Sequence, residues 1–570
     1  MQYNISYDNP LQHFVDIELI IDHINQPMVT LKLPAWRPGR YELGNFIGNI
    51  QKFQVTDAQN NSLPFRKTEK DHWEVETSGI DCIKVQYNYY AYQMDAGSCW
   101  LDEYQLYLNF INCLIFTPDR LHEKCILNLE IPQDYIIACG LDQTAARQLR
   151  ATDFYHLVEC PLIASNQLQH FSYVLDQTKY HLWLMGQCDL NWKKVEADFI
   201  AFTREQTQTM GAFPSSDYHF LCQILPYRMY HGVEHYNSTV IALGPGESMN
   251  EDWFYQNFMG VCSHELFHTW NVIRIKPEEF IPYDFNRENY FETGFVAEGF
   301  TTYYGDLFLV RSGVFDKNWY FRELKKLLNR HLHNLGRFNL SLAQSSFDLW
   351  IDGYKKGIPD RKVSIYTKGA LVALILDLKI RQCSQNKNSL DQLMLQLWQK
   401  FGDTRSGYTT THIIDMASQL AGTSLQDFLE DLVEGVAPIE GYLSELLAYV
   451  GCELASETPD NLYENDFGFK ATKKENHHII TQLHPDSAAA HKLSLDDEII
   501  AINSRKASLD LNLLIGKQQS ITLSVFRQNR LQEVILERQE EAYFPDYNIR
   551  QLADSTEEQQ RNFKAWLKCQ

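Results

Sequence analysis

The chain has 12 cysteines in 570 residues, all scattered singly, and no C-x-x-C pair. That excludes a C-x-x-C metal or redox motif, and the cysteines read as small core residues of a reducing compartment. Long hydrophobic runs are missing too. No stretch reaches about 18 apolar residues, so no membrane span is expected. Positive charge is scarce, with 51 Lys and Arg against 73 Asp and Glu. The formal net charge of -22 argues against nucleic acid and anionic membranes as partners. Internal repeats and low-complexity tracts are absent. The start, Met1-Gln2-Tyr3-Asn4-Ile5, has neither a basic n-region nor an apolar h-region. No secretory signal is therefore expected in it, and the cytoplasm is the expected location.

What is present is ordinary globular composition, 44% hydrophobic and 22% charged, with aromatics high at 13%. A chain this long exceeds one core, and three or four domains are expected. One heptapeptide carries chemistry: His264-Glu265-Leu266-Phe267-His268-Thr269-Trp270. On a helix its H-E-x-x-H puts His264 and His268 on one face, so both imidazoles can reach one metal ion. Glu265 stands one step round, within reach of a water. Two neutral nitrogens for Zn²⁺ and a carboxylate to take water's proton make a hydrolytic site. Ser248-Met249-Asn250-Glu251 reads as a capping box opening this helix, with Ser248 as N-cap and the end near Asn271. A third protein ligand is needed if one metal position stays open. Ala297-Glu298-Gly299-Phe300-Thr301-Thr302-Tyr303-Tyr304 offers Glu298, on a second helix expected from Thr293 to Arg311.

HELFHTWN followed by AEGFTTYY resembles the glycyl aminopeptidase family, gluzincin zinc metallopeptidases that carry a PDZ domain. The resemblance implies a multidomain α+β chain. It has an N-terminal antiparallel β-sandwich, a thermolysin-like, mainly helical zinc catalytic domain, and a C-terminal PDZ domain. It also implies one Zn²⁺ per chain on His264, His268 and Glu298, peptide substrates, and removal of small N-terminal residues, Gly and then Ala. His231-Gly232-Val233-Glu234-His235-Tyr236-Asn237-Ser238 is similar to the family's G-x-x-E-H-x-x-S element. Glu234 is then the anchor for the substrate's α-amine, with Gly232 and His235 beside the substrate backbone. A fixed carboxylate near the scissile carbonyl orients the first residue and makes an exopeptidase. Tyr366-Thr367-Lys368-Gly369, at the head of an apolar helix, resembles the family's Tyr-x-Lys-Gly. Tyr366 is the expected donor to the oxyanion, since a phenol with a pKa of about 10 stays protonated at working pH.

The domains are expected at 1–175 (sandwich), 176–452 (catalytic, with Glu265 as general base), 455–540 (PDZ) and 541–570 (a tail with a short helix). In the first, Leu33-Pro34-Ala35-Trp36-Arg37-Pro38-Gly39-Arg40-Tyr41 is similar to a P-x-W-x-P-G-x-Y stretch of the family and reads, residue by residue, as a scaffold corner. Thr302 and Asp306, one and two turns after Glu298, are expected partners for the histidine N–H groups. Asn271 and Arg274 read as links to the second helix. Asp466-Phe467-Gly468-Phe469 resembles a PDZ carboxylate-binding loop, which could take a peptide or protein C-terminus as an added strand. Asp496 stands where such domains usually carry Gly. Two alternatives to an aminopeptidase stay open: a gluzincin endopeptidase with a cleft open at both ends, and a non-catalytic PDZ peptide-binding protein on a peptidase scaffold.

Overall fold

The computed structural model describes residues 1–355, 357–540 and 542–569. The expected tail, 541–570, begins and ends on Glu541 and Gln570, which lie outside the described residues. The chain is multidomain α+β, β-rich at its start and largely helical after residue 246 up to about residue 450. It divides into two compact units. One comprises Met1–Tyr320, Leu335–Ile439 and Arg561–Gln570, the other Phe321–Asn334 and Glu440–Gln560.

The first unit opens with strands that alternate as their sequence does. In Phe14–Ile21 every second side chain, Val15, Ile17, Leu19 and Ile21, is buried. The strands form sheets of seven, four and three. Pairing is antiparallel except at one place: Gln2–Ser6 runs parallel to Cys125–Leu129. Those two strands meet across more than a hundred residues, so no hairpin dictates their direction.

A five-stranded sheet follows, built from β1 (Gln169–Leu175), β2 (Thr178–Met185), β3 (Asp217–Ile224), β4 (Met229–Glu234) and β5 (Ser238–Gly244). The order is β1-β2-β3-β5-β4. β4 is therefore an edge strand, antiparallel to β5, and the helices that carry the motif residues follow it in the chain. Those helices are α1 (Asp252–Phe267), α2 (Thr301–Arg311) and α3 (Thr367–Ser384). Helix α1 starts at Asp252 with Glu251 as N-cap and no side-chain cap. Ser248 belongs instead to a 3-10 turn, Gly246–Ser248, so the expected capping box does not form. A π-helical turn, Phe295–Phe300, leads into α2 and contains Glu298. Such turns often sit at functional sites.

Two glycines set how closely these elements pack. A Cβ on Gly299 would lie 2.5 Å from the Gly369 backbone, and one on Gly369 would lie 2.8 Å from the Gly299 Cα. The backbones of the Glu298 turn and of α3 therefore touch directly, which only glycine permits. The tail returns to this unit: Trp566 is fully buried, its indole N–H donating to the Tyr303 hydroxyl at 3.0 Å.

In the second unit, strands Phe469–Lys473, His478–Leu483, Glu498–Ile502, Ser520–Arg527 and Arg530–Glu537 neighbour one another in that order. They enclose a core that includes Phe467, Phe469, Ile480, Ile499 and Leu523. Asp496 takes a left-handed φ of 65°. Asp tolerates that conformation better than most residues. No helix among the described residues is long and apolar enough to cross a membrane.

Candidate active site

The donor atoms of His264, His268 and Glu298 all lie within 4.8 Å of one another. The two Nε2 atoms are 3.0 Å apart, and Glu298 Oε2 is 3.4 Å from His268 Nε2 and 3.9 Å from His264 Nε2. Helix α1 supplies the imidazoles and the π turn supplies the carboxylate. They converge because Gly305 of α2 packs on the His264 backbone, where an added Cβ would come within 3.2 Å.

The ligands are held from behind. His268 Nδ1 lies 2.7 Å from the Asn271 carbonyl and 3.5 Å from the Thr301 hydroxyl. These two, rather than Thr302 or Asp306, orient that ring. Asn271 also ties the histidine segment to the Glu298 turn, donating to the Val296 carbonyl at 2.7 Å and the Thr301 hydroxyl at 3.0 Å. Arg274 does not join that link. It donates to the carbonyls of Tyr236 and Thr269 and pairs with Asp403 at 3.3 Å.

The stretch read as a scaffold corner reaches the site. Tyr41 is fully buried, and its hydroxyl donates to Glu298 Oε1 at 2.8 Å. Gly39, at φ +79°, presses on the Glu234 carboxylate, since a Cβ there would lie 2.7 Å from Oε2. The missed signal was the pairing of a positive-φ glycine with a tyrosine two residues on. Sequence spacing gives no measure of a contact made 257 residues away.

Glu234, at the end of β4, is buried, and one of its oxygens lies within 4.8 Å of ligand atoms of both Glu265 and His268. Gly232, two residues earlier on the same face, lets Glu265 approach: an added Cβ would sit 2.2 Å from Glu265 Oε1. Glu265 Oε2 is buried without a hydrogen-bond partner. His235 turns away, its Nδ1 3.9 Å from Glu159 Oε2 and its Nε2 without a partner. Tyr366 is the N-cap residue of α3, close enough to Glu298 and Tyr354 for both to act on its hydroxyl.

The electrostatics describe a pocket short of positive charge. Burial works to lower His268, but Glu234, Glu298 and Glu265 outweigh it and raise the imidazole to about 10. His264 is pushed down to about 3, by burial and then by His268. Burial raises Glu265 and Glu234. Burial also acts to raise Glu298, yet His268, His264 and the Tyr41 hydroxyl hold it below the usual carboxylate range. Burial, then Glu298 and Tyr354, pushes the Tyr366 phenol up, which keeps its proton on. Three buried carboxylates drawn together suit a bound cation, and two imidazoles with a carboxylate are a zinc donor set.

Residues 2–166 match the Peptidase M61 N-terminal domain and residues 257–372 match the M61 glycyl aminopeptidase domain. No curated protein matches the chain. Among solved structures, the chain is similar to an aminopeptidase N family protein from Idiomarina loihiensis. Identity is 28%, the TM-score is 0.91, and 99% of each chain is covered. An M1 zinc metallopeptidase from Deinococcus radiodurans, bound to a Tyr-Ser-Ala substrate, is 14% identical with a TM-score of 0.49. That match covers 77% of this chain and 94% of that one. The cluster of two histidines and one glutamate lies within reach of both matched segments, through Tyr41 in the first and the ligands in the second, and the chain, carrying the M61 N-terminal and M61 glycyl aminopeptidase domains, is a metallopeptidase.

Proposed function

We propose that the protein is a zinc aminopeptidase that removes small N-terminal residues, Gly and Ala, from peptides. One observation carries this reading: a buried carboxylate, Glu234, stands within 4.8 Å of the Glu265 carboxylate and of His268. In a peptide the terminal nitrogen and the first carbonyl carbon are two bonds apart, about 2.5 Å. An ammonium held by Glu234 therefore leaves only the first peptide bond in front of Glu265. Gly39 closes the space behind Glu234, which disfavours an endopeptidase cleft.

What one Zn²⁺ per chain on His264, His268 and Glu298 supplies is Lewis acidity toward a carbonyl and a more acidic water. The chain's own residues do the rest. Glu234 pairs with the ammonium and fixes the scissile carbonyl. Glu265, raised by burial, takes the proton of the attacking water and passes it to the departing nitrogen. Tyr366 keeps its phenolic proton and donates a hydrogen bond as negative charge grows on the carbonyl oxygen. Gly232 leaves backbone room beside the substrate, and His235 braces the end of β4.

The same reading divides the chain into a sandwich (1–175), a thermolysin-like gluzincin domain (176–452), a PDZ domain (455–540) and a tail (541–570). Support for the PDZ assignment is the edge position of Phe469–Lys473, directly after Gly468 at φ +71°. An extended peptide or protein C-terminus could add there as a strand. A cytoplasmic location is proposed from the 12 free cysteines.

The test is release of amino acid from Gly-, Ala-, Leu- and Lys-anilides by zinc-loaded protein, beside Glu265→Gln. Release from Gly and Ala that vanishes in the variant is expected. Release that survives in Glu265→Gln would refute the assigned base.

A further inference from the structure

Arg37 is a buried charge with nothing to balance it at contact distance. The residue is 5% exposed, and its Nη1 has no hydrogen-bond partner. Among the described residues no carboxylate lies within ion-pairing distance of it. Asp95 is the carboxylate whose charge acts on it most strongly. The Asp95 oxygens, however, are taken up by their own loop: Gly97 N at 2.7 Å, Ser98 Oγ at 2.9 Å and Gln93 Nε2 at 2.8 Å. The guanidinium is fixed in place over Gly97, where an added Cβ would be 1.9 Å from Nη2. With Arg40, Ser98, Asn112 and the carboxylates Glu42 and Asp95 it lines a cavity of about 330 Å³, in which Glu42 pairs with Arg40. A buried guanidinium without a partner is costly, and its planar fork suits a carboxylate.

The cavity is walled in part by the loop that meets β4 through Ala96 and His231. The direction of the peptide follows from β4, given the aminopeptidase reading above, on which this inference rests. The amine sits at Glu234, and Glu265 sits against Gly232, so the peptide runs back along the strand towards His231. His231 Nδ1 accepts from Ala96 N at 3.3 Å, in the loop that carries Gly97 and Arg37's cavity wall. From Glu234 to His231 is about 10 Å of strand. An extended di- or tripeptide spans about that length from amine to carboxylate. The charge of Arg37 is felt by Glu234, Glu265 and His235 alike.

We infer that Arg37 binds a carboxylate of the substrate, the C-terminal one of a di- or tripeptide, so that short free peptides are the preferred substrate class. The probe is Gly-Ala-Ala compared with its C-terminal amide and with Gly-Ala-Asp amide. Affinities are measured by calorimetry on zinc-loaded, full-length Glu265→Gln protein, and kcat and KM on the parent protein. The acid should bind about tenfold or more tightly than the amide, the difference appearing in KM rather than kcat. Adding Arg37→Gln should bring the acid-to-amide ratio to about one, and Arg37→Lys should restore part of it. If Gly-Ala-Asp amide also gains affinity in an Arg37-dependent way, a side-chain carboxylate is the ligand. Equal affinity for acid and amide without any change at Arg37 overturns the inference, and needs no variant to fold. An unchanged ratio in Arg37→Gln, with both substrates weakened alike, also overturns it and leaves Arg37 a structural charge. Selective binding of the acid without turnover in the parent protein would refute the aminopeptidase reading while keeping the carboxylate site.

Discussion

Replacing Tyr41 by Phe removes one hydroxyl and little else. Its ring packs 5.2 Å from Phe291 and 6.4 Å from Trp350, contacts that a phenylalanine keeps. Lost is the 2.8 Å hydrogen bond to Glu298 Oε1, made between two residues each 2% exposed. A hydrogen bond to a charged group is worth about 1.5–3 kcal/mol, and Glu298 is buried away from bulk solvent. Converted to an equilibrium constant, that is a loss of about 10- to 150-fold in zinc affinity, the range expected for outer partners of metal ligands. The sign with pH follows. His268, His264 and Tyr41 together hold Glu298 low against the opposing effect of burial. Without the hydroxyl the carboxyl protonates at a higher pH, so zinc is lost earlier on acidification. Titration of metal-free protein against a chromophoric chelator at neutral pH measures the affinity, and a pH series measures the shift. An affinity within about twofold of the parent would refute the reasoning, because a hydrogen bond of this kind cannot be worth so little if it orients the ligand.

Other consequences are as specific. Gly299→Ala would force a methyl to within 2.5 Å of the Gly369 backbone; a loss of about 1–3 kcal/mol by denaturant titration is expected, and activity should fall further as Glu298 and Tyr366 move apart. Without metal, His268 is raised to about 10, so at pH 8 zinc must displace its proton. Calorimetry in two buffers of different ionisation heat should find about one proton released. For the same reason, the stability that His268 gives the metal-free protein is full below its unfolded value of about 6.5 and is lost as pH rises towards 10. Tyr366→Phe should lower kcat by about a hundredfold or more with KM nearly unchanged, since its donor acts on charge that develops only in the transition state.

The part of the site readable in the sequence is the part written in helical spacing. His264 and His268 share one helix face with Glu265 one step round, and Glu298 follows in the turn that opens the next helix, so their types and intervals carry the chemistry. What surrounds them is not encoded that way. Spacing from Glu298 singles out residues one and two turns on, Thr302 and Asp306. The His268 Nδ1 is met instead by the Asn271 carbonyl and the Thr301 hydroxyl. Tyr41 and Gly39 come from a different domain, and nothing in a turn-like P-G-R-Y says which surface it will face. The start of α1 was misplaced for a local reason: Ser248 is taken up in a 3-10 turn, and a Ser-to-Glu interval alone does not mark where the helix begins. Strand alternation, by contrast, was legible in Phe14–Ile21 because one face is buried along its whole length.

The central claim is that Glu234 turns a metallopeptidase site into one that acts on free amines. Cleavage of Gly-Ala-Ala and of N-acetyl-Gly-Ala-Ala by zinc-loaded protein, followed as released glycine or acetylglycine, tests it directly. Acetylation removes the charge that Glu234 pairs with and adds atoms where Gly39 leaves no room. The account predicts rapid release from the free peptide and a rate at least about a thousandfold lower from the acetylated one, the loss of a buried charge pair of 3–5 kcal/mol compounded by the clash. Comparable cleavage of both would contradict it and return the site to an endopeptidase.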